Sequence, residues 1–269
     1  MCITKVDITS PSSLPGVLLN DHTGWFRDEE QQLSRVFSHG DGHWLVQQEG
    51  DSMRFSKLGG SAGSVPLTLS IVDKPELGRL GVVSGIDFSY LSPTGARLVR
   101  LATPSVWEAL ATAILRQVIK AEQARKLIAG FRAELGEEVA GYRCFPLVDA
   151  VTNASNDLYT RLGLSFFQSA LQNAATWMQD YEPCAPDELL TELLSIPRIG
   201  PWTAGVVVAD VTNDFSFYPQ SDRAIRLRAS GLSDKRPWST DGRKFEQEWR
   251  ALTGVDNSAC TMLALADEP

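Results

Sequence analysis

The pattern of apolar and polar residues divides the chain into two parts near residue 95. Before that point, short runs rich in apolar and β-branched residues predict strands at 16–20, 43–48, 52–56 and 65–72, with glycine-containing turns between them. One amphipathic helix is predicted at 26–37, because Phe26, Leu33 and Val36 with Phe37 fall on one side of a helix. We therefore expect residues 1–95 to form a small domain with an antiparallel sheet and a helix.

The second part, residues 96–269, follows the helical period, and strand patterns end near residue 100. Pro104 suits the first turn of a helix, and Ser105 with Glu108 forms a capping box. A second capping box is predicted for Ser165 with Gln168. Further helices are predicted at 120–134, 165–181, 186–196, from 201 onward, at 240–252 and at 257–266. The expected fold class is therefore α+β, a small sheet domain followed by an all-helical domain.

Composition limits the classes of function. The 269-residue chain has a formal net charge of −8, which argues against a protein that coats nucleic acid non-specifically. No apolar run is long enough to span a membrane, and the N-terminal residues lack the pattern of an export signal. The four cysteines and three histidines have no metal-site spacing, so we expect no metal, free thiols and a cytoplasmic location.

Residues 193–226 carry the pattern with the clearest chemical meaning. Pro197 ends a helix, Gly200 permits a positive φ for a sharp turn, and Pro201 starts a new helix. The first backbone N–H groups of that new helix are free to bind a phosphate. The segment therefore predicts a helix–hairpin–helix that an acidic protein could use to hold DNA.

Several segments resemble one known family. The sequence LLSIPRIGPWTA at 193–204, followed by YPQSD at 218–222, resembles the helix–hairpin–helix (HhH-GPD) DNA glycosylases, in particular the 3-methyladenine DNA glycosylase II branch. Segments at 107–118, 144–146 and 162–165 resemble further parts of that family in the same order. The resemblance covers residues 98–266 and implies a monomer that binds double-stranded DNA containing a damaged base. It implies no cofactor, apart from a monovalent cation that the hairpin carbonyls of Leu194, Ile196 and Ile199 could hold.

The resemblance assigns catalysis to Asp222, which stands twenty residues after Trp202. Cleavage of an N-glycosidic bond builds positive charge on the sugar, and a carboxylate can stabilise that charge and orient water. The alternative for Asp222 is a simple helix N-cap.

Bifunctional members of the superfamily carry a nucleophilic lysine at the position of Trp202, so the resemblance implies a monofunctional hydrolase here.

The resemblance also suggests residues for the base pocket and for DNA contacts. Trp202, Gln117 and Tyr218 are the candidates for binding the damaged base, the indole by stacking on an electron-poor ring. The candidates for DNA binding are the hairpin residues Arg198, Ile199, Gly200, Pro201 and Thr203, the wedge residue Val118, and Arg223. For Trp202 the alternative is core packing, and for Gln117 and Val118 it is packing at a helix end.

The sequence departs from the family pattern at three places. One is the helix predicted from Ser165, which begins Phe166-Phe167-Gln168 where relatives often carry Arg or Lys. Arg198 replaces the first glycine of the hairpin, and the last predicted helix lacks the pocket aromatic residue. We expect a monofunctional glycosylase that removes damaged bases in base excision repair, with alkylated purines as its main substrates. The rivals are an inactive protein that binds lesions or DNA with the same fold, and a glycosylase for a bulky adduct or a deaminated base.

Overall fold

The structure is a computed structural model that describes residues 3–7, 24–28, 30–39, 42–49, 52–60, 69–73, 97–232 and 237–266. The predicted strand at 16–20 lies outside the described residues. Over the described ranges the protein is α+β, with an antiparallel sheet first and helices after it, as the sequence predicted. A domain boundary near residue 95 stays a prediction.

The N-terminal sheet is built from β1 (Ile3–Asp7), β2 (Trp25–Arg27), β3 (Leu33–His39), β4 (Gly42–Glu49) and β5 (Ser52–Gly59). These five strands are antiparallel and lie in the order β1-β5-β4-β3-β2. The strands predicted at 43–48 and 52–56 are confirmed as β4 and β5. A separate antiparallel pair, β6 (Leu69–Asp73) and β7 (Arg97–Leu101), leads into the helical part.

The predicted helix at 26–37 is wrong, because these residues form β2, a turn and β3. The Asp28 carboxylate accepts hydrogen bonds from the backbone N–H groups of Glu30 and Gln32, at 3.1 and 2.8 Å, and this turn replaces the helix. Strand β3 is buried without interruption from Leu33 to Phe37, so its sequence lacks the alternation of a half-exposed strand. Periodicity alone does not separate such a strand from a short buried helix.

The helical part begins after β7. Its described helices are α1 (Val106–Leu115), α2 (Ala121–Leu135), α3 (Val148–Thr152), α4 (Asn156–Arg161), α5 (Gln168–Gln179), α6 (Pro186–Ser195), α7 (Pro201–Thr212), α8 (Arg223–Leu232), α9 (Gly242–Thr253) and α10 (Asn257–Ala266). A hairpin of two-residue strands, β8 (Glu138–Val139) and β9 (Tyr142–Arg143), follows α2 and was not predicted. None of the helices in these ranges is long and apolar enough to cross a membrane.

Two predicted helix starts have different outcomes. Ser105 caps α1 as predicted, since its hydroxyl accepts the Glu108 N–H at 3.2 Å. The Glu108 carboxylate, however, points to Arg35 on the sheet and does not complete the capping box. The predicted box at Ser165 is wrong: its hydroxyl lies 3.4 Å from that of Thr160, and α5 begins only at Gln168.

Helix α7 lies at the centre of the helical part. It packs against α1 on one side and α6 on another, and α1 also packs against α5. Every residue of α7 from Thr203 to Asp210 is buried. A helix that is apolar on all sides is stable only inside a core, which explains the run of valines and alanines in this segment.

A buried ion pair connects the sheet to the first helix. Arg35 of β3 and Glu108 of α1 have side chains only 4% and 5% exposed, and their closest nitrogen and oxygen lie 3.3 Å apart. The same Arg35 nitrogen donates to the Thr103 hydroxyl at 3.0 Å. Since a buried charge without its partner is costly, this pair fixes the position of the sheet relative to α1.

We predict that Glu108→Ala lowers the free energy of unfolding by about 3–5 kcal/mol, because it leaves the Arg35 guanidinium buried and without its carboxylate. Denaturant unfolding followed by tryptophan fluorescence measures the loss. The double variant Arg35→Met with Glu108→Leu is expected to recover most of it.

The matched control is Glu122→Ala, which breaks the exposed pair between Glu122 and Lys126 (2.7 Å) and is expected to leave the unfolding midpoint unchanged. Equal midpoints for Glu108→Ala and Glu122→Ala would contradict the structural role of the buried pair.

Candidate active site

The hairpin between α6 and α7 has the sharp turn at a different residue from the one predicted. Helix α6 ends before Pro197, as expected, and Ile196 and Ile199 are buried beneath the turn. The residue with positive φ is the exposed Arg198 (φ 72°), whereas Gly200 has an ordinary φ of −98°. The prediction that Gly200 turns the chain is therefore wrong. Arg198 occupies a left-handed conformation that glycine would adopt without strain.

The space around Gly200 is open, so a ligand can reach the N-terminus of α7. It is the N-cap of α7, and a Cβ built on it would meet no atom within 4 Å. The backbone N–H groups of Gly200, Trp202 and Thr203 have no acceptor among the described residues. Because the helix N-terminus also carries partial positive charge, the turn presents an open site of the kind that binds a phosphate oxygen.

A close approach between backbone segments brings the aromatic loop onto α7. A Cβ at Gly205 would lie only 2.5 Å from the Phe217 carbonyl oxygen, so glycine is needed there for the loop to pack. The loop then passes Tyr218 and ends at Asp222, directly before α8. This packing places Asp222 beside the start of α7.

The two oxygens of the Asp222 carboxylate have different partners. Oδ1 accepts the backbone N–H of Ala224 at 2.8 Å, so Asp222 does cap the start of α8. Oδ2 accepts the indole N–H of Trp202 at 2.6 Å and the hydroxyl of Tyr218 at 3.3 Å. The cap and a chemical role are therefore not alternatives, because each uses a different oxygen.

Tyr218 is a buried donor to this carboxylate. Burial raises the pKa of its phenol, and the negative charge of Asp222 raises that pKa further. The phenol consequently keeps its proton at neutral pH and remains a hydrogen-bond donor. Trp202 and Tyr218 together hold Oδ2 at the boundary between the core and the surface, where Trp202 is half-buried.

The end of α1 meets the start of α7 at the same place. The Gln117 amide donates to the Thr203 hydroxyl at 2.5 Å, so the Thr203 side chain is buried against Gln117 and does not face the surface. Val118 follows with its side chain 86% exposed and φ at 55°. A β-branched residue rarely adopts a positive φ, and an exposed apolar side chain held in this way indicates a local functional constraint.

A buried charge cluster next to these residues was missed by the sequence analysis. Asp210, near the end of α7, receives Arg100 Nη2 on its Oδ1 at 2.6 Å, and Arg116 Nη1 lies 3.9 Å from its Oδ2. The Arg116 guanidinium also lies over the Trp202 ring, 5.8 Å from its centroid. In the sequence, Asp210 is a single acid among the valines and alanines of α7, and a buried acid requires a cationic partner. The sequence does not show which residue that partner is.

The remaining predicted contact residues lie around the hairpin. Arg223 is exposed at the start of α8, whereas Ile199 is only 6% exposed and contributes to the core.

The Ile196 carbonyl accepts the Ile199 N–H at 3.1 Å, while the carbonyls of Leu194 and Ile199 have no donor among the described residues. Oxygen donors suit hard cations, and the monovalent cation that the resemblance implies at this hairpin stays a prediction. No group of three His, Cys, Asp or Glu able to hold a metal occurs in the described ranges.

Comparison with known proteins identifies the fold. No protein-family model matches the sequence, and no curated protein matches it. A structure of MBOgg1 with a low-affinity DNA ligand is similar with a TM-score of 0.72 and 14% identity, covering 98% of this chain and 94% of that one. The 3-methyladenine DNA-glycosylase from Archaeoglobus fulgidus is similar with a TM-score of 0.69 and 17% identity, covering 97% of both chains.

The Clostridium acetobutylicum 8-oxoguanine glycosylase/lyase, bound to double-stranded DNA with cytosine opposite 8-oxoG, is also similar. Its TM-score is 0.69 with 14% identity, over 99% of this chain and 97% of that chain. The protein therefore has the fold of the helix–hairpin–helix DNA glycosylases, as the sequence resemblance predicted.

We predict that Arg198→Gly is more stable than Arg198→Ala by about 1 kcal/mol, because only glycine relieves the left-handed conformation at this residue. Thermal or denaturant unfolding of the two variants measures the difference. Both variants remove the same charge, so the difference between them reports on the backbone conformation. Equal stability of the two variants would argue against strain at residue 198.

Proposed function

We propose that the protein is a monofunctional DNA glycosylase that hydrolyses the N-glycosidic bond of a damaged base in double-stranded DNA. One observation carries the proposal: the Asp222 carboxylate, whose Oδ2 lies 2.6 Å from the indole nitrogen of Trp202, is beside hairpin N–H groups that have no acceptor among the described residues. The fold supports it, since the similar structures include glycosylases for 3-methyladenine and for 8-oxoguanine.

The chemistry assigned to Asp222 is electrostatic. When the bond between C1′ and the base nitrogen breaks, its electron pair leaves with the base and positive charge develops on the sugar. The Asp222 carboxylate stabilises that charge and orients a water whose oxygen bonds to C1′, and the water's proton passes to the carboxylate and then to solvent or the departed base. Trp202 and Tyr218 hold the carboxylate in place for this step.

The proposal includes hydrolysis without a covalent enzyme intermediate. Trp202 stands where the sequence resemblance implies the nucleophilic lysine of bifunctional glycosylases, and its indole nitrogen donates to Asp222. An indole N–H is not a nucleophile that forms a Schiff base. Base release is therefore expected to leave an abasic site in an uncut strand.

DNA binding is assigned to the surface around the hairpin. The N–H groups of Gly200 and Trp202 take a phosphate, while Arg198 and Arg223 add exposed positive charge to an acidic chain. Val118 is the wedge that fills the gap left by the flipped base, since its side chain is 86% exposed at the end of α1. A cation at the hairpin carbonyls would add positive charge beside that phosphate.

The substrate class follows from the sequence resemblance and from the indole. Trp202 offers a ring for stacking on a flipped base, so damaged purines, and alkylated purines in particular, are the first candidates. Likeness at 14–17% identity to the similar structures concerns the fold and does not choose among lesions. We further propose that the protein acts as a cytoplasmic monomer in base excision repair.

The test is base release from duplexes that each carry one lesion: 7-methylguanine, 3-methyladenine, 1,N6-ethenoadenine, 8-oxoguanine, hypoxanthine or uracil. We expect release of at least one base, and we expect Asp222→Asn to slow it by about 100-fold or more. Asparagine is also a good N-cap, so this variant is expected to fold.

The matched control is Asp241→Asn, since Asp241 caps α9 by accepting the Lys244 N–H at 2.9 Å. This variant is expected to release base at the wild-type rate. Binding of the duplexes without release of any base would favour the inactive DNA-binding rival, and release unaffected by Asp222→Asn would refute the assigned chemistry.

A further inference from the structure

Arg116 is positioned to act on the base that Trp202 would receive. It follows the last residue of α1, and its guanidinium carbon lies over the Trp202 ring at 5.8 Å from the centroid. Its side chain is 19% exposed. One face of the indole is therefore covered by a permanent cation, which leaves the opposite face for a stacked base.

Arg116 shares the buried Asp210 carboxylate with Arg100, so these three groups together carry a net positive charge. Asp210 makes its short contact, 2.6 Å, with Arg100, whereas Arg116 Nη1 remains 3.9 Å from the other carboxylate oxygen. That Nη1 is buried and makes no hydrogen bond to a described residue. Asp210 Oδ2 is likewise buried without a hydrogen bond, so this nitrogen faces the carboxylate, and Arg116 would act on a bound base through its charge.

The positive charge of Arg116 also acts on Tyr218, which contacts the Asp222 carboxylate. Burial and the Asp222 carboxylate both raise the pKa of the Tyr218 phenol, and Arg116 acts on that pKa in the opposite direction. Because the Tyr218 hydroxyl lies 3.3 Å from Asp222 Oδ2, the positive charge acts on the same space in which the glycosidic bond would break.

We propose that Arg116 selects the substrate by charge, so that among damaged bases, alkylated purines included, the enzyme releases uncharged ones such as 1,N6-ethenoadenine in preference to positively charged ones. This inference rests on the glycosylase function proposed above. It names the class of substrate for that same site.

The reason lies in the charge of the leaving group. In both cases the electron pair of the C1′–N bond departs with the base, and the oxygen of water bonds to C1′. An uncharged base becomes an anion as it departs and later takes up the proton that water loses, so a nearby guanidinium stabilises its departure. A cationic base, such as 7-methylguanine, is repelled when it binds and only loses that repulsion as it departs neutral, so relative to free substrate the same guanidinium gives it no net gain.

The test compares second-order rate constants for base release, measured in single turnovers with enzyme in excess but far below saturation. The cationic base is 7-methylguanine, and the uncharged bases are 8-oxoguanine, hypoxanthine and 1,N6-ethenoadenine. Three proteins are measured: wild type, Arg116→Met and Arg116→Lys. Arg116→Met keeps the length of the side chain and removes the charge, and Arg116→Lys keeps the charge. We expect the ratio of uncharged to cationic release rates to fall roughly tenfold or more in Arg116→Met and to stay closer to wild type in Arg116→Lys.

The ratio is independent of the fraction of folded protein, since unfolding lowers all rates equally. A ratio unchanged within twofold in Arg116→Met, or lowered equally by both substitutions, would overturn the role of the charge while leaving the glycosylase function intact. If wild type releases none of the six lesions tested above, the proposed function fails, and the inference about Arg116 fails with it. Release of 3-methyladenine or 7-methylguanine, but of no uncharged base, would overturn the inference alone.

Discussion

Helix α7 is buried on every side from Thr203 to Asp210, and this constraint shapes the rest of the candidate site. Its first turn reaches the surface, so the hairpin N–H groups face solvent and Trp202 lies at the edge of the core. Asp210 inside the same helix requires a cationic partner, because a buried carboxylate alone is costly. Arg100 supplies that partner. The pair fixes β7, the strand that leads into the helical part, against α7.

The site arises where two segments converge on the first turn of α7. The loop that packs on Gly205 brings Asp222, and the end of α1 brings Gln117 and Arg116. Asp222 serves two needs at once, since Oδ1 caps α8 while Oδ2 is held by Trp202 and the buried Tyr218. A carboxylate that is fixed by its structural role is well oriented for chemistry, because it loses little freedom when substrate binds.

Much of this arrangement could be predicted from local sequence. The spacing between Trp202 and Asp222 was informative because both lie at the starts of helices, where turn chemistry is visible in the sequence. The helix predicted at 26–37 failed because a buried strand lacks alternation. The left-handed residue was placed at Gly200 because glycine prefers that conformation, but the structure puts it at Arg198. The position of Arg116 over an indole depends on tertiary packing, which no local pattern encodes.

The central claim is that Asp222, with Trp202 at its side, hydrolyses the glycosidic bond without a covalent link between enzyme and DNA. Mass spectrometry of the damaged strand, after a single-turnover reaction in the presence of borohydride, tests this most directly. The account predicts an uncut strand with a reduced abasic site and no attached protein. A strand covalently joined to the protein, or cut at the lesion, would contradict it.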